Sequence, residues 1–380
     1  MENRKKILIV AGEASGDLHA ANLVEAIKKI HPQTSFFGLG GRNLLRQGVQ
    51  LSCDLTQFAI VGFWEILKKL PQFKKIFRDI LKVSDKQKPD LAILVDYPGF
   101  NLRLACELHK RKIPVVYYIS PQVWAWDQKR ISLIKKVVKK MIVFFDFEEE
   151  LYKKHGVPAS FVGNPLLDTV KTTISREELL SKTGLKTGLM TISLLPGSRE
   201  KEVKTLLPIM LKCAKIINGY LSGRVQFLIL RATSVKAEIF DKALEGYNLP
   251  TKIISGLTYD GVAASDFSLV CSGTATLEAA ILATPMVILY KVNFLTWLFI
   301  RMMIKIPNIG LVNVVKGRKI AEEFIQFDAE PEKICDYVIP LLQDNNKLNR
   351  MKLELLSVKP LLGEPGASIK AAKIIADLLS

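Results

Sequence analysis

What most constrains this chain is a series of short, unbroken apolar runs separated by segments of helical length. In the first half the runs are residues 6–11 (KILIVA), 36–39, 90–96 (DLAILVD), 114–119 (PVVYYI) and 141–145 (MIVFF). None alternates apolar with polar residues. A strand with one wet face alternates, whereas a continuous run is covered on both faces, as in a parallel sheet between helices. Helical patterns lie between the runs at 18–30, 102–112 and 131–140. The second half repeats the rhythm. Strands are expected at 189–195, 225–230, 251–254, 267–271 and 286–290. Helices are expected at 200–219, 259–265, 276–283, 330–342, 347–356 and 367–379. The prediction is an α/β protein of two doubly wound domains facing across a cleft, the first ending near Gly163-Asn164-Pro165.

A length of 380 residues agrees with two domains, and 49% apolar residues supply their cores. The five cysteines form no CxxC pair and there are four histidines, so no zinc site is expected. Scattered thiols point to a reducing cytoplasm. The apolar run at 7–11 is too short for a signal peptide. The best candidate for a span, 287–306, is broken by Lys291, Arg301 and Lys305, so no transmembrane helix is predicted. Fifty-four Lys and Arg against 37 Asp and Glu leave a net charge of +17, which calls for an anionic partner. A mean hydropathy of +0.19 favours a membrane surface over nucleic acid.

Open α/β sheets bind ligands beyond the carboxyl ends of their strands, so the post-strand turns are the candidate site. The turn Gly12-Glu13-Ala14-Ser15-Gly16-Asp17 follows the first strand. It reads either as a plain strand–helix turn with Ser15 or Asp17 as N-cap, or as a ligand contact with Glu13 receiving a sugar hydroxyl. Asp96, at the end of an apolar strand, either caps the next helix or faces ligand as a general base. In Ser120-Pro121-Gln122-Val123-Trp124-Ala125-Trp126 the tryptophans either stack on a sugar or lipid or pack on a neighbouring helix. In Leu195-Pro196-Gly197-Ser198-Arg199, either glycine allows close approach and Arg199 forks onto a phosphate at the helix N-terminus, or Arg199 is a plain surface side chain. Ser272-Gly273-Thr274-Ala275-Thr276-Leu277-Glu278 opens a helix with small hydroxyl residues, which suits a diphosphate, and Glu278 could take ribose hydroxyls. The alternative is a simple Ser/Thr N-cap.

Residues 58–81 place Phe63, Leu67, Leu70, Phe73, Phe77 and Leu81 on one helical stripe with Trp64 nearby, and Lys68, Lys69, Lys74, Lys75 and Arg78 elsewhere. Pro71 is a predicted break. Such a helix lies in a membrane plane or covers its own domain. Residues 279–321 contain no Asp or Glu but carry Lys291, Arg301, Phe294, Trp297, Leu298 and Phe299, a second basic and apolar patch.

AGEASGD (11–17), D-x-P-x-F-N (96–101), SPQVWAW (120–126), LPGSR (195–199), SGTATLE (272–278) and NVVKGR (313–318) together resemble the lipid-A-disaccharide synthases. The resemblance runs from residue 7 to about 325. It implies the GT-B fold, with an acceptor- and membrane-binding domain at 1–165 completed by the C-terminal helix at 366–380, and a UDP-sugar domain at 166–365. It implies an inverting, metal-independent glycosyltransferase without cofactor. Donor and acceptor would be UDP-2,3-diacylglucosamine and 2,3-diacylglucosamine 1-phosphate. The products would be the β-1,6-linked lipid A disaccharide 1-phosphate and UDP. Asp96 would be the base. Glu13, Ser15, Gly16, Gly197, Ser198, Arg199, Ser272, Gly273, Thr274, Ala275, Thr276, Glu278 and Asn313 would contact substrate or nucleotide. Phe63, Trp64, Leu67, Leu70 and Phe73 would meet the anionic inner face of the cytoplasmic membrane. A C-terminally swapped homodimer occurs in the family. Family members often carry a second acidic residue where this sequence has Gly99. The rival readings are a sister transferase or an epimerase acting on a UDP-amino sugar, and a basic nucleic-acid binder, for which no motif is present.

Overall fold

The missing alternation has a direct cause in the first sheet. The computed structural model describes residues 4–58, 63–126, 130–294, 297, 298, 301 and 307–379, with backbone alone at 57, 58, 63–70, 125 and 126. In β1 (Lys6–Ala11), Ile7, Ile9 and Ala11 enter one core layer, while Leu8 and Val10 enter the layer on the other face. All five are completely buried. With helices on both faces no position of the strand after Lys6 meets water, so each of those five is apolar.

The chain divides into two units, residues 1–165 with 362–380, and residues 166–361. In the first unit β2 (Ser35–Gly40), β3 (Gln50–Asp54), β4 (Leu91–Val95), β5 (Val115–Tyr118), β6 (Lys140–Val143) and β7 (Ala159–Phe161) join β1 in a parallel sheet ordered β3-β2-β1-β4-β5-β6-β7. Its helices include α1 (Ala14–Ile30), α2 (Arg42–Arg46), α3 (Phe63–Gln87), α4 (Pro98–Lys110), α5 (Val123–Trp126), α6 (Arg130–Val137) and α7 (Asp146–Lys154). The terminal helix Ala367–Leu379 returns to this unit. Its Ala371, Ala372 and Ile375 share a core layer with Ala20, Leu23 and Val24 of α1. Small residues let the two helices approach closely. The return is fixed where the Asn164 amide donates to the Leu362 carbonyl at 2.8 Å.

The second unit holds β8 (Met190–Leu195), β9 (Val225–Arg231), β10 (Thr251–Ser255), β11 (Phe267–Cys271), β12 (Met286–Tyr290) and β13 (Glu323–Ile325), parallel in the order β10-β9-β8-β11-β12-β13. The helices that matter for its turns are α8 (Glu200–Tyr220), α9 (Ala275–Ile281) and α10 (Leu311–Lys316).

Several expectations change. The first helix starts at Ala14, not 18, because the Gly-rich turn is itself helical from its third residue. Pro71 does not break α3, which runs through it. A proline keeps a helical φ and forfeits one hydrogen bond, and at an exposed position that lost partner is replaced by water. From Phe73 onward the apolar stripe of α3 packs on its own domain: Phe73, Ile76, Phe77 and Leu81 lie against the core beneath the sheet. Phe73, expected to meet the membrane, is thus drawn inward. The side chains of Phe63, Trp64, Leu67 and Leu70 lie outside the described residues. No helix among the described residues is long and apolar enough to cross a membrane.

Candidate active site

In the first unit the strand order reverses between β1 and β4, which opens a crevice at their carboxyl ends. Ala11 is in register with Val95, so the Gly12–Asp17 turn stands beside the turn that begins at Asp96. Asp96 and Tyr97 both adopt left-handed backbone, with φ of 46° and 47°. Side chains disfavour that conformation, Asp less than most, so the turn needs fixing. The fixing is explicit. The Asp96 amide donates to the Tyr118 carbonyl at 3.0 Å. The Asp96 carbonyl accepts from Asn101 Nδ2 at 2.8 Å and from the Tyr117 hydroxyl at 2.6 Å. Buried Asn101 also donates to the Val95 carbonyl at 3.0 Å.

The carboxyl of Asp96 does not cap α4. Its N-cap is Tyr97, and no side chain caps that end. Burial first, and the charge of Glu13 second, push Asp96 up to about 6, with the Tyr97 amide acting in the opposite direction. Glu13 precedes α1 as a half-buried N-cap residue whose side chain makes no cap hydrogen bond. Ser15 is exposed in the first turn of α1, and buried Gly16 passes close to Val95.

Neither Ser15 nor Asp17 is the N-cap of α1. Buried Asp17 reaches sideways instead and accepts from the amides of Gly41, Asn43 and Leu44 at 2.6, 2.9 and 3.3 Å, so it caps α2. Trp124 is likewise engaged within the domain. Its Nε1–H donates to Glu148 Oε1 at 3.2 Å and its ring meets Phe147 edge-on. Trp126 lies outside the described side chains. Burial pushes the Glu148 carboxyl up to about 8.

The second unit has its own switch point between β8 and β11, where Leu195 is in register with Val270. After β8, Gly197 takes φ +117°, and a Cβ there would stand 2.6 Å from Glu202 Oε2, so glycine is required. Glu202 braces the turn from within, accepting from the Ser198 and Arg199 amides at 3.2 Å each and from Arg199 Nη1 at 3.2 Å. Ser198 and Arg199 are exposed.

After β11, Ser272 Oγ donates to the Ile309 carbonyl at 3.2 Å and Thr276 Oγ1 to the Gly273 carbonyl at 2.8 Å. Thr274 occupies the N-cap position of α9, but no side-chain hydrogen bond caps it, so a simple Ser/Thr cap is not what these residues form. Burial pushes Glu278 up to about 7. Asn313 is fully buried. Its Oδ1 accepts from the amides of Ile320 and Ala321, and its Nδ2 donates to the Ala321 carbonyl and to Glu323 Oε1.

Residues 7–374 match the profile of the lipid-A-disaccharide synthetase family. A lipid-A-disaccharide synthase of Syntrophus aciditrophicus is 45% identical over 378 residues, covering 99% of this chain and 98% of its own length. One from Myxococcus xanthus is 37% identical over 379 residues, covering 100% and 99%. The chain belongs to the lipid-A-disaccharide synthase family. Among solved structures, UDP-GlcNAc 2-epimerase from Neisseria meningitidis bound to UDP-GlcNAc aligns at a TM-score of 0.62 with 16% identity, covering 98% and 99%. The glycotransferase of kitacinnamycin aligns at 0.62 with 14% identity, covering all of both chains. At such identities the likeness establishes the fold, that of the GT-B glycosyltransferases and their epimerase cousins.

In this lipid-A-disaccharide synthase family member, Glu13, Ser15, Gly16 and Asp96 gather at the switch point of the first unit. Gly197, Ser198, Arg199 and the Ser272–Thr276 turn flank that of the second, with Glu278 one turn into α9. Asn313 differs in kind, since both ends of its side-chain amide are engaged in holding residues 320–323. The clamps on Asp96 (Asn101 and Tyr117) and the brace Glu202 went unpredicted. A buried Asn five residues beyond a strand-terminal Asp was the available signal for the first; nothing local marks the other two.

A surface feature adds to these. Phe294, Leu298 and Phe327 are 55%, 41% and 55% exposed. Trp297 meets Phe327 edge-on at 5.1 Å and Arg301 lies over the Trp297 ring at 5.3 Å. Phe294 completes the aromatic group, 6.1 Å from Trp297.

Proposed function

We propose that the protein joins UDP-2,3-diacylglucosamine to 2,3-diacylglucosamine 1-phosphate, giving the β-1,6-linked lipid A disaccharide 1-phosphate and UDP. The observation that carries the mechanism is Asp96: a half-buried carboxyl in a clamped left-handed turn at a switch point, with a proton affinity raised to about 6. Such a group is still ionised at neutral pH, yet it is a stronger base than an ordinary aspartate. Asp96 takes the proton from the acceptor 6-hydroxyl as that oxygen attacks the anomeric carbon from the face opposite UDP. Negative charge then gathers on the leaving diphosphate. Arg199 and the backbone amides at Thr274–Thr276 receive it, and Glu278 accepts from ribose hydroxyls.

The substrates' acyl chains call for a membrane. Exposed Phe294 and Phe327 around half-buried Trp297, with Arg301 beside it and a net charge of +17, support peripheral binding to the anionic cytoplasmic face. The basic segment of α3 is the other contact in this reading. Asp96→Asn tests the chemistry. It should lower turnover by roughly 10²–10⁴-fold and leave UDP affinity unchanged. Wild-type turnover would remove Asp96 from the role.

A further inference from the structure

We propose that the Tyr97 ring, seated on the bare backbone of Gly12, is a positioning residue for Asp96, closing the carboxyl off from water and so setting the pH at which the base becomes active. This rests on the reading of Asp96 as the base and deepens it.

The contact is close. A Cβ built on Gly12 would stand 2.3 Å from Tyr97 Cδ1, 2.4 Å from Cγ and 2.8 Å from Cε1. The ring therefore occupies the space any other side chain would need. Backbone conformation does not explain the glycine, because Gly12 is not among the positive-φ residues of the chain. A positive φ is thus not what demands glycine here, and the atoms nearest to a side chain at this position are those of the Tyr97 ring. Tyr97 itself sits at φ 47°, a conformation disfavoured for an aromatic residue, so its placement is held by contacts. Besides Gly12, its ring lies 6.3 Å from that of Phe100, which meets Phe77 of α3 edge-on. The two site turns thus interlock, knob against gap.

The electrostatics have the matching form. Burial is the largest cause of Asp96's raised affinity, ahead of Glu13. The one titratable side chain that acts on Asp96 is Glu13 from the β1–α1 turn; Tyr97 bears on it through its backbone amide, and the Tyr117 hydroxyl of β5 feels the Asp96 charge in return. Burial keeps both tyrosines protonated, so Glu13 supplies the one charge and the ring supplies exclusion of water.

The test is the acidic limb of the kcat/KM profile, which reports the free enzyme's essential base. Wild type should retain about a tenth of its plateau at pH 5, as expected for a base near 6. Tyr97→Ala should hydrate Asp96 and move the limb toward 4, retaining roughly nine-tenths at pH 5. Tyr97→Phe, which keeps the ring, should keep the wild-type onset. Gly12→Ala should push the ring away and move the limb the same way as Tyr97→Ala. In the Tyr97→Ala background it should do nothing further, since the clash is gone. UDP affinity by calorimetry confirms that each variant is folded, and if Tyr97→Ala does not fold, Gly12→Ala and Tyr97→Phe carry the test. An unmoved limb in Tyr97→Ala, or a Gly12→Ala effect that is the same with and without the ring, overturns the proposal. Asp96→Asn is assayed alongside: wild-type turnover there sinks the base reading itself, whereas its loss leaves the Tyr97 result to stand alone.

Discussion

Replacing Glu148 by Gln should stabilise the protein at neutral pH, and the size of the effect follows from its surroundings. Glu148 is 4% exposed. Its hydrogen bonds come from neutral donors, foremost the Trp124 indole, and among the described residues no cation pairs with it. Burial raises it from 4.5 to about 8, so the folded protein holds a proton that the unfolded chain has released across that interval. The sign is therefore fixed: the group's contribution is fully favourable below 4.5, falls as pH rises toward 8, and is level above. At about 1.4 kcal/mol per pH unit, the loss by pH 7 is about 3 kcal/mol. Glutamine keeps an oxygen for the Trp124 N–H and removes the titration, though its amide donors must find partners at a cost of about 1 kcal/mol. The assay is urea unfolding of wild type and Glu148→Gln at pH 5 and pH 8, followed by tryptophan fluorescence. The stability difference between the two proteins should move in favour of the variant by about 3 kcal/mol between those pH values. An unchanged difference would refute the reasoning, because it would mean that Glu148 titrates alike in the folded and unfolded states.

Three other substitutions separate binding from architecture. Asp17→Ala strips the amides of Gly41, Asn43 and Leu44 of their acceptor and should cost about 2–3 kcal/mol, read as a lower unfolding temperature. Arg199→Ala should weaken UDP binding roughly 10–100-fold by calorimetry, the worth of a charge-assisted contact, while leaving the unfolding temperature within a degree or two of wild type (about 0.5 kcal/mol). Asn313→Ala should instead lower stability by about 2–4 kcal/mol, since it orphans the Ile320 and Ala321 amides in a buried site; denaturant midpoints would show it.

The fold was legible because its strands are buried on both faces and so announce themselves as apolar runs. The central strands, 267–271 and 286–290 among them, stand where the runs placed them. Of the edge strands only β10, expected at 251–254, was legible. β3 (QLSCD) is half exposed, and β7 and β13 have three residues each, too short to form a run. The post-strand rule led to the turns but not to what holds them. Asn101, Tyr117 and Glu202 act through contacts five to twenty-one residues away or across a turn, which no local pattern encodes. Asp17 looked like a helix cap and is one, but of α2, twenty-four residues along. The amphipathic stripe of α3 could face a membrane or its own sheet with the same spacing. Phe73 shows that at least its later half faces the sheet.

The central claim is acceptor-dependent sugar transfer with Asp96 as base. Its most direct test is UDP release by the purified protein in detergent with EDTA, given UDP-2,3-diacylglucosamine with and without 2,3-diacylglucosamine 1-phosphate, for wild type and Asp96→Asn. The account predicts release only when both lipids are present, and a loss of roughly 10²-fold or more in the variant. Release that ignores the acceptor, or that persists undiminished in Asp96→Asn, would contradict it.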